Sequence, residues 1–218
     1  MTHPQQFGFG FDQMYEEQRT AHLPSTLEQA IPVYRDLIDR HNAAMLVGDE
    51  ATVLKLRNEA RDLAHKLDPE NNGILASDDA PAKALERATA AEPGTVPKWG
   101  QTGDFTIDVD GIKVRVKQDG MLGIGSMSMF WPNFAAHAVD YDKPFLSETG
   151  YRSFMGPRVE VMTGIAPDQF ATKVMKSYLA GECKGKPQRI QQTYVEREMV
   201  RREEKSNSEE KAAENDRQ

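Results

Sequence analysis

One short region of this sequence carries residue types that could take part in catalysis or bind a metal. His137, Asp140 and Asp142 fall within six residues, and Arg152 follows ten residues later. An imidazole and carboxylates can ligate a metal or move a proton, and an arginine can hold an anionic group. The other four histidines lie far away in the sequence, so no second cluster completes a coordination shell. A small enzyme with a His/Asp/Arg site over 137–152 is therefore kept as an alternative, and no catalytic residue, metal ligand or cofactor is assigned.

The glycines at 120, 123 and 125 do not form a nucleotide-binding motif. Their spacing is GxxGxG, where a dinucleotide fold needs GxGxxG, and no GK[ST] follows them. The sequence also lacks the GxSxG and HExxH signatures of hydrolases. Cys183 is the only cysteine, so no intrachain disulfide can form. These absences weaken the enzyme interpretation.

The stretch PFLSETGYRSF, residues 144–154, is the densest in bulky and turn-forming residues. The sequence favours a packed corner, in which the aromatic side chains anchor a turn over SETG and a carboxylate pairs with Arg152. The other interpretation is a surface that recognises a protein partner, since Tyr and Arg dominate binding hot spots. The residues assigned to that partner surface are Tyr151, Arg152, Glu148, Trp131 and Phe134.

Basic residues near the C-terminus give a second alternative, a protein associated with nucleic acid. Five acidic residues lie among them, so the basic character of the segment is weak. The nucleic-acid-binding residues of this alternative are Lys184, Lys186, Arg189, Arg201 and Arg202.

Composition describes a cytoplasmic protein with one modest core. Of the 218 residues, 39% are hydrophobic and 28% are charged, and no apolar run is long enough for a membrane span. The N-terminus lacks the features of a signal peptide, and a single cysteine fits a reducing compartment. Residues 1–104 carry 10 basic and 17 acidic side chains, whereas 105–218 carry 17 of each, so the first half holds the entire net charge of −7.

Apolar periodicity predicts an α+β fold with helices at both ends. A helical hairpin over 25–67 turns at VGDE, with Asp49 as the second N-cap, and a short helix follows over 81–90. Two further helices are predicted within 166–204, the first over 166–181 and the second starting near Pro187. Residues 1–24 are expected to form a flexible arm, 25–205 a single domain, and 206–218 a disordered tail.

The middle of the chain, 99–158, predicts a small antiparallel β-meander and a loop. FTIDVDGIKVRV, residues 105–116, alternates apolar and polar side chains about Asp110-Gly111, a two-residue turn. The resulting register pairs Val109 with Ile112 and puts all six apolar side chains on one face. MLGIG, residues 121–125, is expected to return as a third strand, and 140–156 to form the loop.

The run WGQTGDFTIDVDGIKVRV followed by FAAHAVDYDKPFLSETGYRSFMG resembles a family of bacterial proteins of unknown function that occur on plasmids and other mobile elements. The resemblance covers about residues 27–156. It implies an accessory role on a mobile element and brings no catalytic residue with it.

We therefore expect a non-enzymatic interaction protein, an accessory or defence-modulating factor of a mobile element. A protein would bind to the acidic helices or to the aromatic stretch at 144–154. The nucleic-acid protein and the small enzyme are the alternatives. No membrane association is expected, and no oligomeric state is assigned.

Overall fold

The computed structural model of the chain describes residues 18–71, 77–123, 133–155 and 164–215. A four-stranded antiparallel sheet in the order β1-β2-β3-β4 packs one face against helices that precede and follow it in the chain, which confirms the α+β class. The helices are α1 (Leu27–Val47), α2 (Glu50–Leu67), α3 (Pro81–Ala88), α4 (Pro167–Gly181) and α5 (Gln192–Asn215). The strands are β1 (Gly103–Val109), β2 (Ile112–Gln118), β3 (Phe134–Ala138) and β4 (Tyr151–Phe154). None of the described helices combines the length and the apolar character that crossing a lipid bilayer requires.

The predicted helical hairpin is present as α1 and α2. Gly48 adopts the left-handed conformation that ends α1, and the Asp49 carboxylate accepts a hydrogen bond from the Thr52 amide, as expected for an N-cap. Thr26 caps the start of α1, and the helix continues through Pro32. The buried faces of α1 and α2 pack with α3 around a first apolar cluster that includes Leu56.

The predicted hairpin register is confirmed throughout. Val109 pairs with Ile112, and Phe105 pairs with Val116, on the face that packs against α4. Asp110 takes a positive φ of 53° before Gly111 at 86°, the backbone that a tight two-residue turn requires. This inner face, with α4 and the ends of α1 and α2, forms the second and larger apolar cluster.

The third strand differs from the prediction. It is Phe134–Ala138, whereas Met121–Gly123 form a turn and residues 124 and 125 lie outside the described ranges. Met121 is buried in the helical cluster, and glycines weaken a strand, so the segment after β2 turns toward the helices. The fourth strand, Tyr151–Phe154, lies within the stretch expected to be a loop.

The two C-terminal helices are present, with different limits for the second. It begins at Gln192 because the segment before it pairs with Phe145, whose amide and carbonyl both bond Gln188 at 2.7 Å. It continues to Asn215, past the expected boundary at 204, through a sequence rich in the helix formers Glu, Lys and Ala. Residues 1–17 lie outside the described ranges, so the N-terminal arm and the domain boundaries stay predictions.

Two titratable groups, one largely buried and one fully buried, lie near the contact between helices and sheet. Glu86 of α3 accepts a hydrogen bond from the Leu122 amide at 3.1 Å, and burial raises its pKa to about 7. His41 of α1 bonds the Trp99 carbonyl through Nδ1 at 3.0 Å, and burial together with the Arg57 charge lowers its pKa to about 4. Each group is therefore held in its neutral form more strongly than it would be in the unfolded chain.

Val114→Asp should cost several kcal/mol, because it places an unpaired charge on the fully buried face of β2. Lys113→Thr, one residue earlier on the exposed face, should cost less than about 1 kcal/mol. Thermal melts of both variants measure the difference. Equal losses would contradict the register.

Glu86→Gln should abolish one component of the pH dependence of stability. A folded pKa above the unfolded value means that the folded chain binds more protons, so this group lowers stability as pH rises from about 4.5 to about 7. We expect the variant to match the parent near pH 4.5 and to exceed it by about 3 kcal/mol above pH 7. Denaturant unfolding across this range tests it, and parallel curves for the two proteins would refute it.

Candidate functional site

The strongest candidate site is a groove on the outer face of the sheet, opposite the apolar cluster. Alternation along the strands puts apolar side chains inward and polar ones outward, and the outward side chains border a cavity of about 530 Å³. We call this cavity the outer-face groove. It is lined by Asp104, Arg115, Lys117, Asp119, Asn133, Phe134, Ala135, His137, Tyr151, Ser153, Met155 and Arg201.

Strand register arranges the floor of the outer-face groove in two rows. In the first row Arg115 lies beside His137, and His137 lies beside Tyr151. In the second row Ala135 separates Lys117 on β2 from Ser153 on β4. Because the alanine side chain is short, the surface of the sheet has a depression at Ala135, between the longer side chains on either side.

The first row ends in a pair of rings. The centroids of His137 and Tyr151 are 5.0 Å apart and tilted by 60°, and Tyr151 is 47% exposed. Burial lowers the pKa of His137, and the positive charges of Arg115, Arg201 and Lys117 lower it further, against the opposing effect of Asp104. The imidazole is therefore neutral at pH 7, and the pair presents an uncharged aromatic surface.

The cations of the outer-face groove are only partly neutralised. Arg115 lies 3.4 Å from Asp104, and Arg201 lies 3.4 Å from Glu198. Lys117 makes no ion pair within the described part of the chain. With three cations against the two acids of its lining, the groove is locally positive on a chain whose net charge is −7.

Arg201 reaches the groove because α5 is held beside β3. The largely buried carboxylate of Glu198 bonds Arg202 Nε at 3.0 Å, and Arg202 Nη2 donates to the Val139 carbonyl at 3.0 Å. The Arg202 guanidinium also lies 5.7 Å from the Tyr141 ring centroid. Arg202 thus fixes the helix, and its neighbour Arg201 lines the groove.

The residues predicted to form a protein-binding surface are separated by the sheet. Tyr151 is in the outer-face groove, but Arg152 points to the other face, with its guanidinium 4.6 Å from the Tyr178 ring centroid. Phe134 is only 7% exposed and stacks on Phe154 with centroids 4.9 Å apart.

The two remaining residues of that prediction do not join the groove. A carboxylate was expected to pair with Arg152, but that of Glu148 accepts a hydrogen bond from Gln191 Nε2 at 2.6 Å. Trp131 lies outside the described residues.

The predicted nucleic-acid residues are also divided. Lys184, Lys186 and Arg189 are exposed in the loop between α4 and α5, and none of them lines the outer-face groove. Arg201 lines it. Sequence reasoning missed Arg115, Lys117 and Ser153, for which the signal was the alternation of outward side chains along β2 and β4.

The structure does not assemble the alternative His/Asp/Arg site. His137 faces the groove, whereas Arg152 lies on the opposite face of the sheet because adjacent strand residues alternate. The Asp140 carboxylate pairs with Lys143 at 3.0 Å. Across the described ranges, no three His, Cys, Asp or Glu side chains are grouped so as to hold a metal ion.

Comparison with known proteins gives a family match over the sheet and the C-terminal helices. A family model described as the third domain of KlcB matches residues 102–213, about half of the chain. A protein KlcB of Escherichia coli is 41% identical over 107 residues, which cover 49% of this chain and 22% of that relative. A second protein KlcB of Escherichia coli is 32% identical over 178 residues, covering 81% of this chain and 42% of the relative.

The chain thus spans about a fifth and about two fifths of the length of these curated relatives. No solved structure matches the chain significantly.

Tyr151→Ala and Phe154→Ala should differ in how much folding free energy they cost, although the two residues lie on one short strand. Phe154 is buried against Phe134 and Tyr178, so its truncation should cost about 3–5 kcal/mol. Tyr151 is half exposed, so its truncation should cost less than about 1 kcal/mol. Denaturant unfolding of both variants is the measurement. A large loss of unfolding free energy in Tyr151→Ala would mean that this ring stabilises the fold.

Proposed function

This chain belongs to the KlcB family, a plasmid-associated family, and we propose that it is an accessory protein that acts by binding an anionic macromolecule and not by catalysis. The observation that supports the proposal is the outer-face groove, an open surface on rigid strands that combines three cations with an exposed tyrosine. Surfaces used for recognition are enriched in arginine and tyrosine. A role in modulating host defence stays a prediction.

A binding role is favoured over catalysis by the arrangement of the groups. The neutral imidazole of His137 lies among cations, and its nearest ring is Tyr151, whereas a general base is usually oriented by a carboxylate or carbonyl. The groove instead presents positive charge beside the uncharged rings of His137 and Tyr151, which suits binding.

Charge explains why the partner should be anionic. A partner with negative charge is repelled by the net charge of −7 over most of the surface and attracted at the groove. Such a distribution orients the approaching molecule toward the groove.

The acidic helices are a weaker candidate for the binding surface. Their carboxylates are largely paired within the chain: Asp36 and Glu59 lie near Arg40, and Asp62 lies 2.7 Å from Arg19. Asp39 is likewise paired with Lys98. Little unpaired negative charge is left there to attract a basic protein.

Cross-linking inside the plasmid's host tests the proposal. A photo-reactive benzoylphenylalanine at Ser153 lies in the outer-face groove, and one at Leu54 lies on the exposed side of α2 as a matched control. We expect the first position to give a discrete cross-linked product that Lys117→Gln weakens, and the second to give none.

Two outcomes would count against the proposal. Equal products from both positions would mean that the contact is nonspecific. A product from Leu54 alone would move the binding surface to the acidic helices.

A further inference from the structure

We propose that the anionic partner of the outer-face groove is single-stranded nucleic acid. This inference rests on the proposed function and names the chemical class of its partner. It joins Tyr151 and Arg201, which the sequence assigned to two different kinds of partner, in one surface.

The ring pair at one end of the groove provides a stacking surface for a base. Tyr151 is held on a strand by its pairing with His137, and its backbone carbonyl accepts hydrogen bonds from Ser147 Oγ at 2.7 Å and Thr149 Oγ1 at 2.9 Å. The backbone of Tyr151 is therefore held in place, and the residue is about half exposed. Aromatic side chains on an open sheet face bind unpaired bases in this way, with little sequence preference.

The cations are placed to contact the phosphates of the same strand. Arg115 and Lys117 are two residues apart on one face of β2, a separation of about 7 Å along the strand. Arg201 approaches from α5 and adds a third charge. The depression at Ala135 lies between Lys117 and the hydroxyl of Ser153, which can donate to or accept from a base edge.

Stacking distinguishes this partner from the other anionic polymers. An acidic peptide would satisfy the cations but would gain little from the face of Tyr151. A nucleic-acid duplex has its base faces covered by neighbouring pairs, so it too would leave the ring unused. Only a single strand offers phosphates and free base faces together.

Binding of the complete 218-residue chain to a fluorescein-labelled ten-nucleotide oligothymidylate tests the inference by anisotropy. With three phosphate contacts, the slope of log K against log salt should be about −2, so affinity should fall roughly twentyfold between 50 and 200 mM salt. Lys117→Gln should weaken binding and reduce the slope by about 0.7. Lys113→Gln is the matched control, because it removes the same charge from the same face of β2 but lies outside the groove. It should change neither the affinity nor the salt slope.

Tyrosine variants separate stacking from charge. Tyr151→Ala should weaken binding at least about fivefold without changing the salt slope, because it removes a ring and no charge. Tyr151→Phe should retain binding. An independent readout is the pKa of His137 by NMR, which should rise on binding, since a phosphate adds negative charge beside the Arg115, Lys117, Arg201 and Asp104 groups that surround the imidazole.

Competition experiments distinguish single-stranded nucleic acid from the other anionic polymers. A duplex and a ten-residue polyglutamate should each compete much less well than the single strand. If polyglutamate binds with the same dependence on Lys117 and the oligonucleotide does not, the inference is overturned and the proposed function stands. Digestion of the Ser153 cross-link tells the same two cases apart: removal by nuclease supports the inference, and removal by protease alone overturns it.

One pair of results would contradict both the proposed function and the inference about nucleic acid. If neither polymer binds and Ser153 gives no more cross-linking than Leu54, the groove is not an interaction surface, and the proposed function fails with the inference. Unchanged affinity in Tyr151→Ala, with binding otherwise intact, would overturn the stacking contact.

Discussion

The contacts of Trp99 determine how the helices are positioned against the sheet. Its amide donates to the Asn42 side chain at 3.0 Å, its carbonyl accepts from His41 Nδ1, and its indole donates to the Ile165 carbonyl at 3.0 Å. Because Nδ1 donates, Nε2 of the same imidazole is free to accept from Arg57 Nε, which lies 3.2 Å away. One residue thus fixes α1, the entry to β1 and the start of α4, and charging the histidine would break the arrangement.

The segment after Trp99 can follow this path only with a glycine. Gly100 has a φ of 84°, and a Cβ there would lie 2.6 Å from His41 Nδ1. The Trp99 ring also packs edge-on against Phe170, with centroids 5.5 Å apart, so α4 is drawn onto the inner face of the sheet. With the inner face covered by this helix, the polar face of the same strands is left outward, and the outer-face groove follows from the way the core is closed.

The sequence predicted those parts of the fold that depend on residues close together in the chain. The β1–β2 register needed only the Asp110-Gly111 turn and alternating side chains, and the hairpin of α1 and α2 needed only periodicity and an N-cap. Pairings between distant segments were not predictable in this way. The depression of the groove arises where β3 pairs with β2 across residues 119–133, and Arg201 reaches it only because Arg202 docks α5 through its hydrogen bond to the Val139 carbonyl. Cys183, in a segment rich in glycine and charged residues, is buried because its loop packs against Leu146.

The packed core and the proposed binding surface lie on opposite faces of the same strands, and this division has a consequence for how the groove can vary. Phe154 and Val114 carry the packing, whereas Tyr151 and Lys117 project from the exposed face of the same strands. Substitutions on the exposed face change charge and shape with little cost in folding free energy. The fold can therefore be retained while the side chains of the proposed binding surface change.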